Sequence, residues 1–144
     1  MESDCFNSYL EVDLGKMVNN IHTIQRENPQ AQVIPVLKCN GYGMGAVPMA
    51  KALGANGVSL FAVAQVQEAL ELRHSGITAD ILVLGGVPAH NLPAAVHYNI
   101  QLTAFSTESL AALAQEVKKA NKRDYPIQIK IETGLNRIGA RVGA

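Results

Sequence analysis

The sequence predicts an α/β fold built around a parallel β-sheet. Apolar residues make up 48% of the chain, aromatic residues only 5%, and tryptophan is absent, which favours a core of aliphatic side chains packed between layers. Short apolar runs alternate with amphipathic segments that are long enough to form helices. Because one helix separates each strand from the next, the repeated unit is a right-handed crossover, and such crossovers join parallel strands.

The predicted strands are apolar runs of four to six residues that end at polar or glycine-containing segments. They cover residues 9–12, 33–37, 59–64, 81–84, 100–104 and 127–131. In the last strand isoleucines occupy every second position, and Gln128, Lys130 and Glu132 fall on the opposite face. We expect the isoleucines to face covering helices and the polar side chains to point into the enclosed side of the sheet.

The segments between the strands predict helices at 14–26, 47–53, 65–74, 91–97 and 107–120. Their ends carry the usual signals. Ser106 or Thr107 can cap the last helix, and Gly76 follows the helix 65–74 where a left-handed cap is common.

Two architectures fit this alternation: an open doubly wound sheet and a (β/α)8 barrel of the TIM type. Periodicity alone leaves both open. A complete barrel needs about 250 residues, and the chain offers about five βα units in 144 residues. If the fold is a barrel, we expect the first five units of an incomplete one.

Charge and cysteine content exclude several classes of function. Twelve acidic residues balance twelve basic ones, and the basic run at 118–123 is expected at a helix end facing water rather than on nucleic acid. Two cysteines give no disulfide framework, and no histidine has a partner at metal-ligand spacing. No signal peptide or membrane span is predicted, so we expect a cytoplasmic protein without a metal.

Lys38 is the first candidate site residue. It directly follows the apolar strand 33–37 and precedes a loop with glycines at 41, 43 and 45. The carboxyl ends of parallel strands form the ligand-binding rim of such folds, and a lysine amine at that rim can attack an aldehyde. Tyr42 could lie against whatever Lys38 holds. The alternatives are a lysine that only reaches solvent and a dinucleotide loop, whose G-x-G-x-x-G spacing is missing.

Arg137 is the second candidate. It lies in the segment Thr133-Gly-Leu-Asn-Arg-Ile-Gly139, which follows the last strand. An arginine there would project towards the same rim as Lys38, and its planar fork suits carboxylate or phenolate oxygens. Taken alone, a surface arginine in a turn fits equally well.

The two segments together resemble the motifs of alanine racemases, which belong to the fold type III pyridoxal-phosphate enzymes. The stretch Leu37–Gly45 is similar to the cofactor-lysine motif V-K-A-N-A-Y-G-H-G, with Cys39, Gly41 and Met44 as the departures. The stretch 129–139 is similar to L-K-x-D-T-G-M-x-R-x-G, with Glu132 and Leu135 in place of Asp and Met. With the entry strand near Tyr9, the resemblance spans essentially the whole chain.

The resemblance implies the barrel rather than the doubly wound sheet, and a domain of residues 1–144 that lacks the later strands and the C-terminal β-domain. It implies that Lys38 carries pyridoxal 5′-phosphate as a Schiff base, with Tyr42 and Arg137 as further cofactor contacts. Arg137 would also bind the substrate carboxylate, and Lys130 and Asn40 would support the site. The reaction implied is the isomerisation of L- and D-alanine, a cell-wall precursor, in a cytoplasmic homodimer.

Racemisation needs acid–base groups on both faces of the cofactor. Lys38 would serve one face, and in the family a tyrosine from the partner's β-domain serves the other. We therefore expect the activity in a longer parent protein and not in this part alone. The alternatives are a non-racemising barrel that binds pyridoxal phosphate, a racemase of serine or of broad specificity, a nucleotide-binding domain, and an inert module.

Overall fold

The computed structural model describes residues 8–141. Within that range a parallel sheet carries helices on one side. The helices are α1 (Leu14–Glu27), α2 (Lys38–Tyr42), α3 (Ala46–Gly54), α4 (Val66–His74), α5 (Leu92–His97) and α6 (Thr107–Lys119), and a 3₁₀ turn (Ala89–Asn91) leads into α5. The strands are β1 (Leu60–Val63), β2 (Asp80–Val83), β3 (Gln101–Ala104) and β4 (Ile127–Ile129).

The four strands lie side by side in chain order, and every neighbouring pair is parallel. A doubly wound sheet reverses its strand order at a switch point, and this sheet does not. The predicted α/β class and parallel pairing are confirmed, and the consecutive order is that of a segment of a barrel.

The predicted strand at 33–37 is found beside β1 but pairs only briefly. Val36 forms a single parallel bridge with Ala62. The Leu37 amide donates to the Ala62 carbonyl at 2.7 Å, and the Ala62 amide donates to the Pro35 carbonyl at 2.9 Å. Pro35 has no N–H to extend the ladder, so this edge of the sheet is an extended segment that leads directly into Lys38.

The predicted strand at 9–12 is wrong where the structure describes it. Residues 8–13 form no regular element, and Tyr9 and Leu10 are 85% and 70% exposed. A strand needs a neighbour to accept its backbone hydrogen bonds, and no described residue supplies one. The helix that follows agrees with the prediction to within one residue.

The main core fills the space between the sheet and its helices. The side chains of β1 and β2 that point towards the helices are fully buried. They are Phe61, Val63, Ile81 and Val83. The opposite face, called the inner face here, begins with a smaller apolar cluster and becomes polar at β3, where Gln101 and Thr103 are buried. The cluster comprises Leu60, Ala62 and Leu82 with Val36 and Leu84 packed against it.

The isoleucines of the last strand are only partly covered. Ile127 pairs with Leu102 and packs against the main core, as predicted. Ile129 and Ile131 are 66% and 48% exposed, so the expectation of a helical cover is wrong for them. The reason is positional: α6 precedes β4, and no helix follows it among the described residues.

A set of long polar side chains closes the amino-terminal edge of the sheet. Arg73 donates to the carbonyls of Ile77 and Ala79, at 2.8 and 2.5 Å, and to that of Tyr98 at 3.2 Å. Burial lowers the pKa of Arg73, an effect that nearby Asp80 opposes.

Tyr125 donates its hydroxyl proton towards the carbonyls of Ala95 and Ile100. Arg73 and Tyr125 together link the end of α4 and the segment before β4 to backbone carbonyls near the end of α5 and before β2 and β3.

Tyr125 makes the stability depend on pH in the alkaline range. Burial raises the pKa of Tyr125 to about 12, above the ordinary value of 10.0. Because the folded state holds the proton more tightly, the stabilisation is complete below pH 10 and is lost as the pH rises from 10 to 12. We expect the free energy of unfolding to fall by about 1 kcal/mol over this window, since water screens the partly exposed phenol and reduces the effect of the shift, and Tyr125→Phe to remove that fall. Urea unfolding of both proteins across the window measures the difference, and equal pH profiles would contradict it.

Candidate functional site

The candidate site lies at the carboxyl-terminal edge of the sheet, where the strand-like segment 33–37 ends. Leu37 is 1% exposed and anchors the chain in the core. Lys38, the next residue, is half-buried, and the chain then leaves the sheet. The sequence prediction placed Lys38 at this edge, and the structure places it there.

The residues after Lys38 form a left-handed turn. Cys39, Asn40, Gly41 and Tyr42 have φ angles of 54°, 53°, 63° and 55°. Left-handed backbone costs roughly 1–2 kcal/mol for each residue that carries a Cβ. All of these residues except Gly41 carry one, so the turn persists only because the surroundings hold it. Backbone hydrogen bonds supply part of that support, from Gly41 to Leu37 at 2.9 Å and from Gly45 to Asn40 at 2.9 Å.

Gly41 is the buried residue of this turn. A methyl group at Gly41 would lie 2.6 Å from Sδ of Met49 and 3.2 Å from the amide nitrogen of Ala46. The thioether of Met49 therefore fills the space in which the resembled motif carries an alanine side chain. The departure at position 41 has a packing explanation in this chain.

Asn40 connects the turn to the start of α3. Its side-chain oxygen accepts a hydrogen bond from the Ala46 amide at 2.9 Å. That amide belongs to the first turn of the helix, where N–H groups lack helical partners. Asn40 thus shapes the loop and helps to begin α3, a geometry that suits the supporting role predicted for it.

The amine of Lys38 lies over an aromatic ring. Its Nζ is 5.7 Å from the ring centroid of Tyr42, within the range of a cation–π contact. No hydrogen bond or ion pair of Lys38 Nζ is found within residues 8–141. The amine is therefore held near Tyr42 without being neutralised by a carboxylate.

Glu68 is a site residue that the sequence analysis did not identify. It lies three residues into α4, and its carboxylate accepts hydrogen bonds from the amides of Cys39, Ala64 and Gln65. The spacing of Gln65 and Glu68 is that of a capping box, a signal that was present in the sequence. The contact with Cys39 is long-range, and a local capping signal does not reveal it.

The second candidate segment follows β4 at the same edge of the sheet. Glu132 accepts hydrogen bonds from the amides of Gly134 at 2.7 Å and Asn136 at 2.9 Å. The bonds from Asn136 and then Gly134 lower the pKa of Glu132, so its carboxylate organises the turn. Gly139 approaches so closely that an added Cβ would lie 2.6 Å from the Glu132 amide nitrogen.

Arg137 is exposed in this turn, and Lys130, which directly follows β4, is half-buried. No hydrogen bond or ion pair among the described residues joins either side chain to Lys38. Four inter-strand steps separate the segment 33–37 from β4, which amounts to about 19 Å along a flat sheet. The structure thus places Lys38 and Arg137 on the same edge but does not bring them into contact.

A cavity of about 560 Å³ lies at the other edge of the sheet. It is lined by the end of α3 and by the segments before β1 and β2, including Lys51 and Asp80. None of the candidate site residues borders it. Ligand sites of parallel sheets lie at the carboxyl ends of strands, so we assign no part of the site to this cavity.

Residues 8–141 contain neither a candidate metal site nor a candidate membrane span. No cluster of three or more His, Cys, Asp or Glu residues there could hold a metal ion. No helix in the same range combines the length and the apolar character that a membrane span requires.

Known proteins similar to this chain agree with the motif resemblance. The family model described as alanine racemase, N-terminal domain, matches residues 12–144. Alanine racemase of Staphylococcus saprophyticus is 38% identical over 135 residues, which cover 94% of this chain and 35% of the relative. Alanine racemase 2 of Caldanaerobacter subterraneus is 42% identical over 131 residues, covering 90% of this chain and 34% of the relative.

Solved structures give the same result. Alanine racemase of Clostridium difficile superposes with a TM-score of 0.80 at 33% identity, over 88% of this chain and 33% of that one. The enzyme of a D-cycloserine-producing Streptomyces lavendulae gives a TM-score of 0.84 at 31% identity, over 90% of this chain and 34% of that one. The chain therefore spans about a third of the length of the relatives it matches. By the family model and these relatives, the chain belongs to the alanine racemase N-terminal domain family.

Proposed function

We propose that this chain is the cofactor-lysine part of a pyridoxal-phosphate-dependent racemase that interconverts L- and D-alanine. The observation that carries the proposal is the Lys38 amine, presented at the carboxyl-terminal edge of a parallel sheet by a strained turn, with Tyr42 beside it and no acidic partner among the described residues. The named relatives are alanine racemases, and one solved relative is a complex with cycloserine.

The described residues fit a pyridoxal-phosphate site. Lys38 would hold the cofactor covalently, Tyr42 would lie against it, and Arg137 would bind its phenolic oxygen and the substrate carboxylate. Lys130 and Asn40 would support Arg137 and the turn. When bound, pyridoxal phosphate supplies an electron sink for the negative charge that develops at the substrate Cα.

Lys38 has two tasks in this proposal. Its Nζ would hold the cofactor covalently through the aldehyde group. The same Nζ would accept or return the proton at the substrate Cα on one face. Inversion also needs a proton-transfer group on the opposite face, which we place in a homodimeric partner, as the motif resemblance implies.

The finer features of the fold and setting belong to the same proposal. We propose that the parallel sheet is the beginning of an eight-stranded barrel, because its strand order is consecutive and its inner face turns polar from β3 onwards. Closing the sheet on itself would bring its two outer segments nearer to each other, and with them Lys38 and Arg137. The exposed thiol of Cys39 suits a reducing compartment such as the cytoplasm.

The experiment is to incubate the protein with pyridoxal 5′-phosphate, reduce it with borohydride and map the labelled peptide by mass spectrometry. Racemisation of L- and D-alanine is measured in parallel on the complete gene product, with serine as a competing substrate. Label on Lys38 together with alanine racemisation supports the proposal. Label without racemisation favours the non-racemising barrel, and a folded protein without label at Lys38 ends both readings.

Arg137 is expected to affect turnover without affecting cofactor attachment. Arg137→Ala removes a rigid two-pronged donor for carboxylate and phenolate oxygens, so we expect kcat/KM for alanine to fall by about tenfold to a hundredfold. Arg137→Lys should recover little, because an ammonium does not reproduce the fork. Arg141→Ala, at an exposed arginine two residues beyond Gly139, is the control. Equal kinetics for the variants at 137 and 141 would contradict the assignment.

A further inference from the structure

Cys39 has a backbone amide that needs a partner from outside its own turn. The residue is in the left-handed region at φ 54°, and its amide donates to Glu68 Oε1 at 2.6 Å. No other acceptor for this amide is found within residues 8–141. Cys39 is exposed, so water can also accept from this amide, but only an acceptor fixed to the fold holds the amide in one orientation. Glu68 is that acceptor.

The other oxygen of Glu68 fixes the carboxylate to a rigid element. Oε2 accepts from the amides of Ala64 and Gln65 at 2.8 and 3.0 Å, which closes the start of α4. That helix is anchored in the core by Val66 and Leu72, which are 2% and 1% exposed. One half-buried side chain thus connects the end of β1, the first turn of α4 and the residue next to Lys38.

We propose that Glu68 is a positioning residue that holds the strained turn, and through it the Lys38 amine, in the orientation that cofactor attachment requires. The inference rests on the function proposed above. A carboxylate suits this place because it accepts on both oxygens and donates nothing, and three N–H groups converge on it. Hydrogen bonds to a charged acceptor are also stronger than neutral ones.

Three variants separate positioning from helix capping. Glu68→Asp keeps a negative charge in the first turn of α4, which favours the helix, but its shorter side chain cannot span from α4 to Cys39. Glu68→Gln keeps the length but presents an NH₂ group to one set of donors. The control is Glu71→Gln, at an exposed glutamate one turn further along the same helix, where no side-chain hydrogen bond is found among the described residues.

The first measurement is hydrogen exchange at the Cys39 amide, which does not involve the cofactor. We expect exchange to be about tenfold faster or more in Glu68→Asp and Glu68→Gln, since a hydrogen bond to a charged group is lost. In Glu71→Gln the Cys39 amide should exchange at the rate of the unmutated protein. Unchanged protection of Cys39 in both Glu68 variants would overturn the proposal.

The second measurement is the borohydride-trapped yield at Lys38 as a function of pyridoxal 5′-phosphate concentration. If the turn must be held for attachment, the half-saturating concentration rises in inverse proportion to the fraction of molecules whose turn is still competent. We expect a rise of about tenfold in Glu68→Asp while its melting temperature stays close to that of the control. If Glu68 only caps α4, Glu68→Asp should keep the half-saturating concentration of the unmutated protein, and any effect of the variants should appear in the melting temperature.

The two proposals fail differently. If the unmutated protein does not attach pyridoxal phosphate at Lys38, the proposed function is wrong. The exchange experiment still tests whether Glu68 holds the turn. If the unmutated protein and all Glu68 variants attach pyridoxal phosphate equally well, Glu68 has no positioning role and the proposed function stands.

Discussion

Lys38→Ala is expected to abolish the covalent attachment of pyridoxal phosphate and to reduce alanine racemisation by about 10³-fold or more. The substitution removes the nucleophilic amine and the proton-transfer group of one face together. The measurements are borohydride trapping followed by peptide mapping, and the rate of L- to D-alanine conversion.

Two controls make the result specific to Lys38. Lys51→Ala removes an exposed lysine of α3 at the other edge of the sheet and should leave attachment and rate unchanged. Lys38→Arg retains a cation near the Tyr42 ring but cannot form the covalent bond, and it should fail as completely as alanine. Label retained in either Lys38 variant, or activity retained in both, would show that another residue holds the cofactor.

Phe61→Ala is expected to lower the free energy of unfolding by about 3–5 kcal/mol. Phe61 is the largest of the fully buried side chains and is 0% exposed at the centre of β1. The same strand holds the segment before Lys38 through the paired backbone groups of Ala62, so its packing also supports the site. Urea unfolding measures the loss.

The size of the cavity sets the control. Phe61→Leu leaves a smaller void and should cost about 1–1.5 kcal/mol. If Phe61→Ala costs less than Phe61→Leu, or less than about 1 kcal/mol, the surrounding side chains have closed the void. The packing of β1 described here would then be wrong.

Much of the fold could be predicted because strands and helices with regular apolar patterns define it. The segments around Phe61, Ile81 and Leu102 form buried parallel strands close to their predicted bounds, since their side chains are covered on both faces. Residues 9–12 have a similar composition, but a strand also needs a hydrogen-bonding neighbour. The exposure of Ile129 and Ile131 could not be predicted either, because the alternation of residues along a strand does not reveal whether a helix covers its apolar face.

The site could be predicted in part. Lys38 was identified because the end of an apolar strand in a parallel sheet marks the ligand-binding edge. The glycines near it indicated a turn, but not that Cys39 and Asn40 would also take up left-handed angles. Glu68 was missed because its contact with Cys39 joins residues 29 positions apart, and short-range spacing rules do not reach that far.

The Met49 side chain beside Gly41 has a consequence for anyone who alters this loop. Transplanting the alanine of the resembled motif into position 41 puts its methyl group against the sulfur, unless position 49 is made smaller in the same step. Sequences that evolved along either route should carry matched residues at the two positions.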